Sequence, residues 1–127
     1  MEPQVSYPTL EHLLVLVSRL GLGKVRDIGL LESAIHRPQS TVFGNDAYPG
    51  LFLKAAALLH SLVKNHALFD GNKRIAWSAT FVFLGLNGFE IIVERQAGVE
   101  FMLACARGDL ELEQITDWLR EHSQPVA

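Results

Sequence analysis

The stretch that decides the fold runs from Leu51 to Gly88: LFLKAAALLHSLVKN (51–65), HALFDGN (66–72), KRIAWSATFVFLGLNG (73–88). Its first part, Leu51 to Asn65, is rich in Ala and Leu, both strong helix formers. Its few polar residues are Lys54 and Ser61, two turns apart on one stripe, with Lys64 close by. Its last part, Asn72 to Asn87, carries no charge after Arg74 and ends at Asn87-Gly88, a good C-cap pair. Helices that are apolar around most of their circumference are buried on most sides. Two such helices joined by a short link are expected to pack antiparallel in the middle of the fold.

Shorter helical patterns flank this pair on both sides. Thr9 is placed to cap a helix carrying Leu10, Leu13, Leu14, Val17 and Leu20, which ends at Gly21 and Gly23. Asp27 precedes a second helix with Ile28, Leu30, Leu31, Ala34 and Ile35, stopped by Pro38. From Gln39 to Gly50 the composition reads as a loop. Phe89 to Val93 reads as a short extended piece, and Arg95–Arg107 and Leu112–His122 as two amphipathic helices. The expectation is an all-α single domain over residues 1–127, a bundle of about six helices around two central antiparallel ones.

Bulk properties narrow the function. The chain has 127 residues, 49% hydrophobic and 20% charged, which suits one folded domain rather than disorder. A net charge of −3 argues against non-specific nucleic-acid binding, which needs a basic face. The single cysteine, Cys105, excludes an internal disulfide and fits a reducing compartment. No signal-peptide pattern and no membrane-spanning run is seen, the longest nearly uncharged stretch being Ile75 to Gly88. A cytoplasmic protein is expected.

The link between the central helices holds the chemistry. Within ten residues it gathers the imidazole of His66, the carboxylate of Asp70, the amide of Asn72, the ammonium of Lys73 and the guanidinium of Arg74. Each alone has an ordinary explanation: a surface histidine, an Asp-Gly turn, an asparagine cap. Their combination does not. A helix N-terminus carries unpaired N–H groups and partial positive charge, so Lys73 and Arg74 are badly placed there for stability unless an anion joins them. Phosphate is the natural anion, and Gly71 lets the backbone approach it.

Asp70 suits a magnesium ion shared with phosphates, and Asn72 suits a cap or a phosphate contact. Histidine is the side chain that titrates near neutrality, so His66 suits a base acting on an attacking hydroxyl. Base, metal carboxylate and phosphate clamp are the parts of phosphoryl or nucleotidyl transfer. A Walker-type phosphate loop is excluded for want of Gly-Lys-Ser/Thr after a strand, and the lack of His-Glu-x-x-His or a cysteine pair argues against zinc.

Elsewhere, His60 reads as a core-edge histidine, Trp77, Trp118, Phe81 and Phe83 as packing residues, and Cys105 as an inert buried thiol. Ser78, about one turn beyond Arg74, is a candidate for a secondary polar contact, and Glu111 and Glu113 suit the start of the last helix.

His66-Ala67-Leu68-Phe69-Asp70-Gly71-Asn72-Lys73-Arg74 resembles the core motif of the Fic/Doc superfamily, His-Pro-Phe-x-Asp/Glu-Gly-Asn-Gly/Lys-Arg. Lys73 in the place of the usual Gly points to the Doc, or death-on-curing, branch. Arg26-Asp27-x-Gly29-Leu30-Leu31-Glu32-Ser33-Ala34, Arg37-Pro38-Gln39, Tyr48-Pro49, Lys54 to Leu59, Leu62 to His66 and Phe83-Leu84-x-Leu86-Asn87-Gly88 resemble the same branch. Two positions depart from the motif: Ala67 stands for Pro, and Leu68 for Phe with an extra Phe69 beside it. Either Leu68 fills the Phe position with less area, or Phe69 takes it and shifts the loop.

The resemblance implies a six-helix bundle and the toxin of a toxin–antitoxin module. Doc-type proteins transfer the terminal phosphate of ATP to a threonine of the elongation factor EF-Tu and stop translation, whereas Fic enzymes transfer AMP to a protein hydroxyl. Carried over residue by residue, His66 is the base, Asp70 binds Mg2+ and fixes the loop, Gly71 and Asn72 hold phosphate, and Lys73 and Arg74 stabilise the transferring group. ATP and Mg2+ are the implied cofactors, and a Phd-like antitoxin and EF-Tu the implied partners, with no direct nucleic-acid or membrane contact. The Gln39 to Gly50 loop stands where the family presents a target-docking flap, and the family expects the antitoxin in a groove lined by the first helix. No Ser or Thr is followed by Glu four positions on, so the family's self-inhibiting pattern is absent. AMP transfer and a catalytically idle nucleotide- or antitoxin-binding protein are the competing readings.

Overall fold

The computed structural model describes residues 4–127. Six α-helices form it: α1 (Leu10–Arg19), α2 (Ile28–His36), α3 (Leu51–Lys64), α4 (Asn72–Leu86), α5 (Arg95–Arg107) and α6 (Leu112–Glu121). The expected pair, α3 and α4, makes the most extensive helix–helix interface, and α6 is the next to pack on α3. Ala55, Ala56 and Ala57 of α3 are fully buried, as are Ile75, Ala76, Ala79 and Phe83 of α4. Small side chains at such a contact let two helix axes approach closely. The buried Thr80 hydroxyl is satisfied by the Ala76 carbonyl at 2.8 Å.

The helix starts follow the local chemistry. Thr9 accepts from the His12 N–H while the His12 ring accepts from the Thr9 N–H, a reciprocal cap for α1. Asp27 caps α2 through the Leu30 N–H. Gly108, left-handed at φ 80°, ends α5. Trp118 stacks on Phe101 and on His122, and Trp77 meets it edge-on, so both tryptophans pack as expected.

Three features depart from the sequence reading. The Gln39–Gly50 region is not a plain loop: a short 3-10 turn (Arg37–Gln39) leads into a two-residue hairpin of β1 (Thr41–Val42) and β2 (Asn45–Asp46). Its corner is Phe43-Gly44, with φ of 52° and 80°, the all-positive geometry of a tight hairpin turn. The extended piece, β3 (Phe89–Ile91), finds an antiparallel partner in β4 (Ser123–Pro125) at the C-terminal end. Phe81, read as core, is 47% exposed, while Phe83 is fully buried. Side chains two apart on a helix point about 200° from one another, so the two cannot share a face.

Candidate active site at the start of the fourth helix

The link between α3 and α4 is held from both sides. On one side, the segment before α2 pairs with it: Val25 and Leu68 form an antiparallel bridge, and the Arg26 and Asp27 N–H groups both donate to the Ala67 carbonyl, at 2.8 and 3.0 Å. On the other, Asn72 grips Leu68 twice. Its amide oxygen accepts from the Leu68 N–H and its amide nitrogen donates to the Leu68 carbonyl, each at 3.0 Å. Leu68 is buried to 1% exposure and Ala67 is fully buried, whereas Phe69 is 70% exposed. Leu68, not Phe69, therefore anchors the loop.

This corrects the role expected for Asn72 as the cap of α4. The N-cap position is Gly71, left-handed at φ 89°, and no side chain caps the helix. The first-turn N–H groups of α4 are left without intrahelical acceptors. A Cβ at Gly71 would meet the Leu22 side chain at 3.2 Å, so another residue here would strain the backbone and press Leu22 aside by a few tenths of an ångström. Asp70 accepts from the Gly71 N–H at 2.8 Å through one carboxylate oxygen.

The two cations of this turn differ. Arg74 donates to the Leu20 carbonyl at 3.2 Å, against the C-terminal end of α1, where a positive charge is favourable. Lys73 is exposed and has no hydrogen-bond or ion-pair partner among the described residues. No acidic residue lies in the first turn of α4. A helix N-terminus with unpaired N–H groups, an unpaired ammonium and no carboxylate in its first turn is set up to receive an anion.

His66 sits at the exposed edge of this turn with φ 52°. A non-glycine residue in the left-handed region costs on the order of 1–3 kcal/mol and persists where surrounding contacts enforce it, characteristically at functional positions. Here the contact is Arg26, whose Nε–H donates to the His66 carbonyl at 2.7 Å and whose Nη2 donates to the Asn65 carbonyl at 3.3 Å. The imidazole itself has no hydrogen-bond partner among the described residues.

A cleft of about 430 Å³ opens beside the turn between α4 and α5. Lys73, Arg74 and Ser78 lie on its wall with the apolar Leu20, Trp77 and Met102. That size and mixture suit a small organic ligand with one charged end. Ser78 thus lines the same cleft as the two cations. Among the described residues no group of three His, Cys, Asp or Glu side chains is placed to hold a metal ion. Asp70, with one carboxylate oxygen outside its Gly71 bond, fits the weaker role of a single protein ligand to magnesium, which commonly keeps waters and shares substrate phosphates.

The hairpin is fastened close to the core. Lys54 of α3, only 3% exposed, places its ammonium 2.9 Å from the Asp46 carboxylate and donates to the Tyr48 carbonyl. Arg37 donates to the Tyr48 hydroxyl at 2.9 Å and to Ser61 Oγ at 3.1 Å, and lies 3.0 Å from His60 Nδ1. Burial, with Arg37 and Lys64 nearby, holds the His60 imidazole below its ordinary pKa. A neutral ring is the form that can accept from Arg37. Burial pushes the Cys105 thiol up to about 12, which fits the inert thiol expected.

Comparison with known proteins agrees with this architecture. The Fic/DOC family model matches residues 7–84, which include α1, α2, α3, the whole link and α4 as far as Leu84. The chain belongs to the Fic/DOC family. It is 51% identical over 94 residues to Toxin Doc of Mycolicibacterium smegmatis, a match covering 72% of each chain. Of the residues singled out in the sequence, His66, Asp70 and Gly71 lie in the link, and Asn72, Lys73 and Arg74 in the first turn of α4. The sequence reading gave no individual role to Arg26, Arg37 or Lys54, whose partners are distant in sequence. Among the described residues no helix is long and apolar enough to cross a membrane.

Proposed function

We propose that this chain is a Doc-type toxin that transfers the terminal phosphate of ATP to a hydroxyl group of a protein. The observation that carries this reading is the start of α4: an uncapped helix N-terminus at left-handed Gly71, an unpaired Lys73, and His66 exposed beside it. The resemblance to Toxin Doc supports the same conclusion. Lys73 in the place of the family's open Gly favours phosphate over AMP transfer, because a side-chain charge stands where a phosphate is to be held. A threonine of EF-Tu is the proposed acceptor, the cytoplasm the proposed compartment, and a Phd-like antitoxin the proposed restraint.

In the proposed reaction, His66 takes the proton of the acceptor hydroxyl as its oxygen attacks the γ-phosphorus. The bond from that phosphorus to the β–γ bridging oxygen breaks, and ADP leaves. The first-turn N–H groups, Lys73 and Arg74 stabilise the charge on the transferring group, the helix end being rigid and already oriented. Asp70 would hold Mg2+, which when bound neutralises phosphate charge. The α4–α5 cleft offers Trp77 and Met102 as apolar surface for the nucleoside. The Thr41–Asp46 hairpin supplies exposed backbone for an extended target segment.

Expression in a bacterial host tests the catalytic claim against an idle binding protein. The wild type is expected to arrest growth, and His66→Ala to abolish the arrest at equal protein level. Arrest by His66→Ala would contradict the catalytic reading.

A further inference from the structure

The His66 ring has no hydrogen-bond partner among the described residues, so the direction in which its Cα–Cβ bond leaves the chain, set by its backbone, is what the surrounding contacts control. That backbone stands at φ 52°, and the side-chain donor on its carbonyl is Arg26. The three successive carbonyls of Asn65, His66 and Ala67 all face this one corner: two accept from the Arg26 guanidinium, and the third accepts from the Arg26 and Asp27 N–H groups. Arg26 also stands at the C-terminal end of α3, where carbonyls lack intrahelical donors and positive charge is favourable. Asp27 is committed to capping α2, which fixes the corner from behind.

We propose that Arg26 is a positioning residue for the transfer reaction: by clamping the Asn65 and His66 carbonyls it holds His66 in its left-handed conformation and so aims the imidazole at the acceptor hydroxyl. The inference rests on His66 being the base. Arg26 touches no reacting atom. Its guanidinium fork spans two carbonyls at once, which a lysine ammonium cannot do with the same geometry. Loss of the fork leaves the start of α4 with its own contacts, the Asn72–Leu68 pair and the Arg74 bond to the Leu20 carbonyl.

The test is steady-state transfer from ATP to EF-Tu by Arg26→Gln and Arg26→Lys, alongside NMR of the His66 ring assigned against His66→Ala. Misaiming a catalytic group by about an ångström costs on the order of 100-fold in rate. Arg26→Gln is expected to lower kcat by about that factor with KM for ATP within about threefold of wild type. Arg26→Lys, retaining the charge and a single donor nitrogen, is expected to recover part of kcat. The His66 ring signal is expected to shift or broaden in Arg26→Gln. An unchanged kcat, or a KM rising in step with its loss, overturns the proposal, and so does an unchanged ring signal. If the wild type transfers nothing to EF-Tu, EF-Tu fails as the acceptor and the ring signal alone decides the clamp. If Arg26→Gln does not fold, Arg26→Lys carries the same comparison against wild type.

Discussion

Leu68 and Asn72 hold each other by two reciprocal hydrogen bonds of 3.0 Å, closing the link between the central helices into a rigid turn. Polar closure through the Leu68 main chain and burial of the Leu68 side chain act on the same residue. Asn72→Asp removes the donor and sets a carboxylate against the Leu68 carbonyl. A buried or half-buried polar group left unsatisfied costs about 1–3 kcal/mol. Urea unfolding of Asn72→Asp is expected to show a loss in that range, with activity falling further than stability because the turn opens.

Gly71 is the pivot of the same turn. Its φ of 89° and the 3.2 Å approach of Leu22 to any Cβ both oppose substitution. Gly71→Ala is expected to cost about 1–2 kcal/mol from the backbone alone, with the Leu22 contact adding to it. The midpoint of denaturant unfolding checks this, and a stability equal to wild type would mean that the turn adopts another conformation.

Much of this architecture was legible from local patterns, and what was not had non-local causes. The α5 helix falls on its expected Arg95–Arg107 because apolar period and a following glycine coincide. The β1–β2 hairpin was missed because its turn is Phe43-Gly44, not the Asn-Gly or Asp-Gly pair that announces such a corner. The Ser123–Pro125 strand is polar and contains proline, and it is a strand only because β3 lies alongside. Phe81 was misplaced because α4 has almost no polar residues to mark its outer face. The site's polar set was readable as a cluster, but the Arg26 clamp and the Asn72–Leu68 pair depend on how segments meet in space.

Lys54 is expected to hold the hairpin in place. Its ammonium is buried against Asp46 and the Tyr48 carbonyl, and Lys54→Met keeps the apolar stem while releasing both. Hydrogen bonds to charged groups are worth about 1.5–3 kcal/mol, a range that sets the upper bound on the loss of hairpin anchoring. Limited proteolysis of the 41–46 segment is expected to be at least several-fold faster in Lys54→Met, and an unchanged rate would show the hairpin to be held by Arg37 and Tyr48 alone.

His60 makes stability depend on pH in a defined sense. Its folded pKa lies below the 6.5 of free histidine through burial, Arg37 and Lys64. The unfolded chain therefore binds the proton more readily than the folded one. The contribution is fully present above pH 6.5 and is lost as pH falls from there through the folded pKa. Stability measured from pH 7 downward is expected to fall less steeply in His60→Gln, which can still accept from Arg37. A slope equal to wild type would assign the acid sensitivity elsewhere.

The most direct measurement is label transfer to EF-Tu from ATP carrying the isotope on either the γ- or the α-phosphate, with magnesium and with His66→Ala as the control. The account predicts label on EF-Tu from the γ-position only, and none with His66→Ala. Label from the α-position, or γ-label that survives the loss of His66, would contradict it.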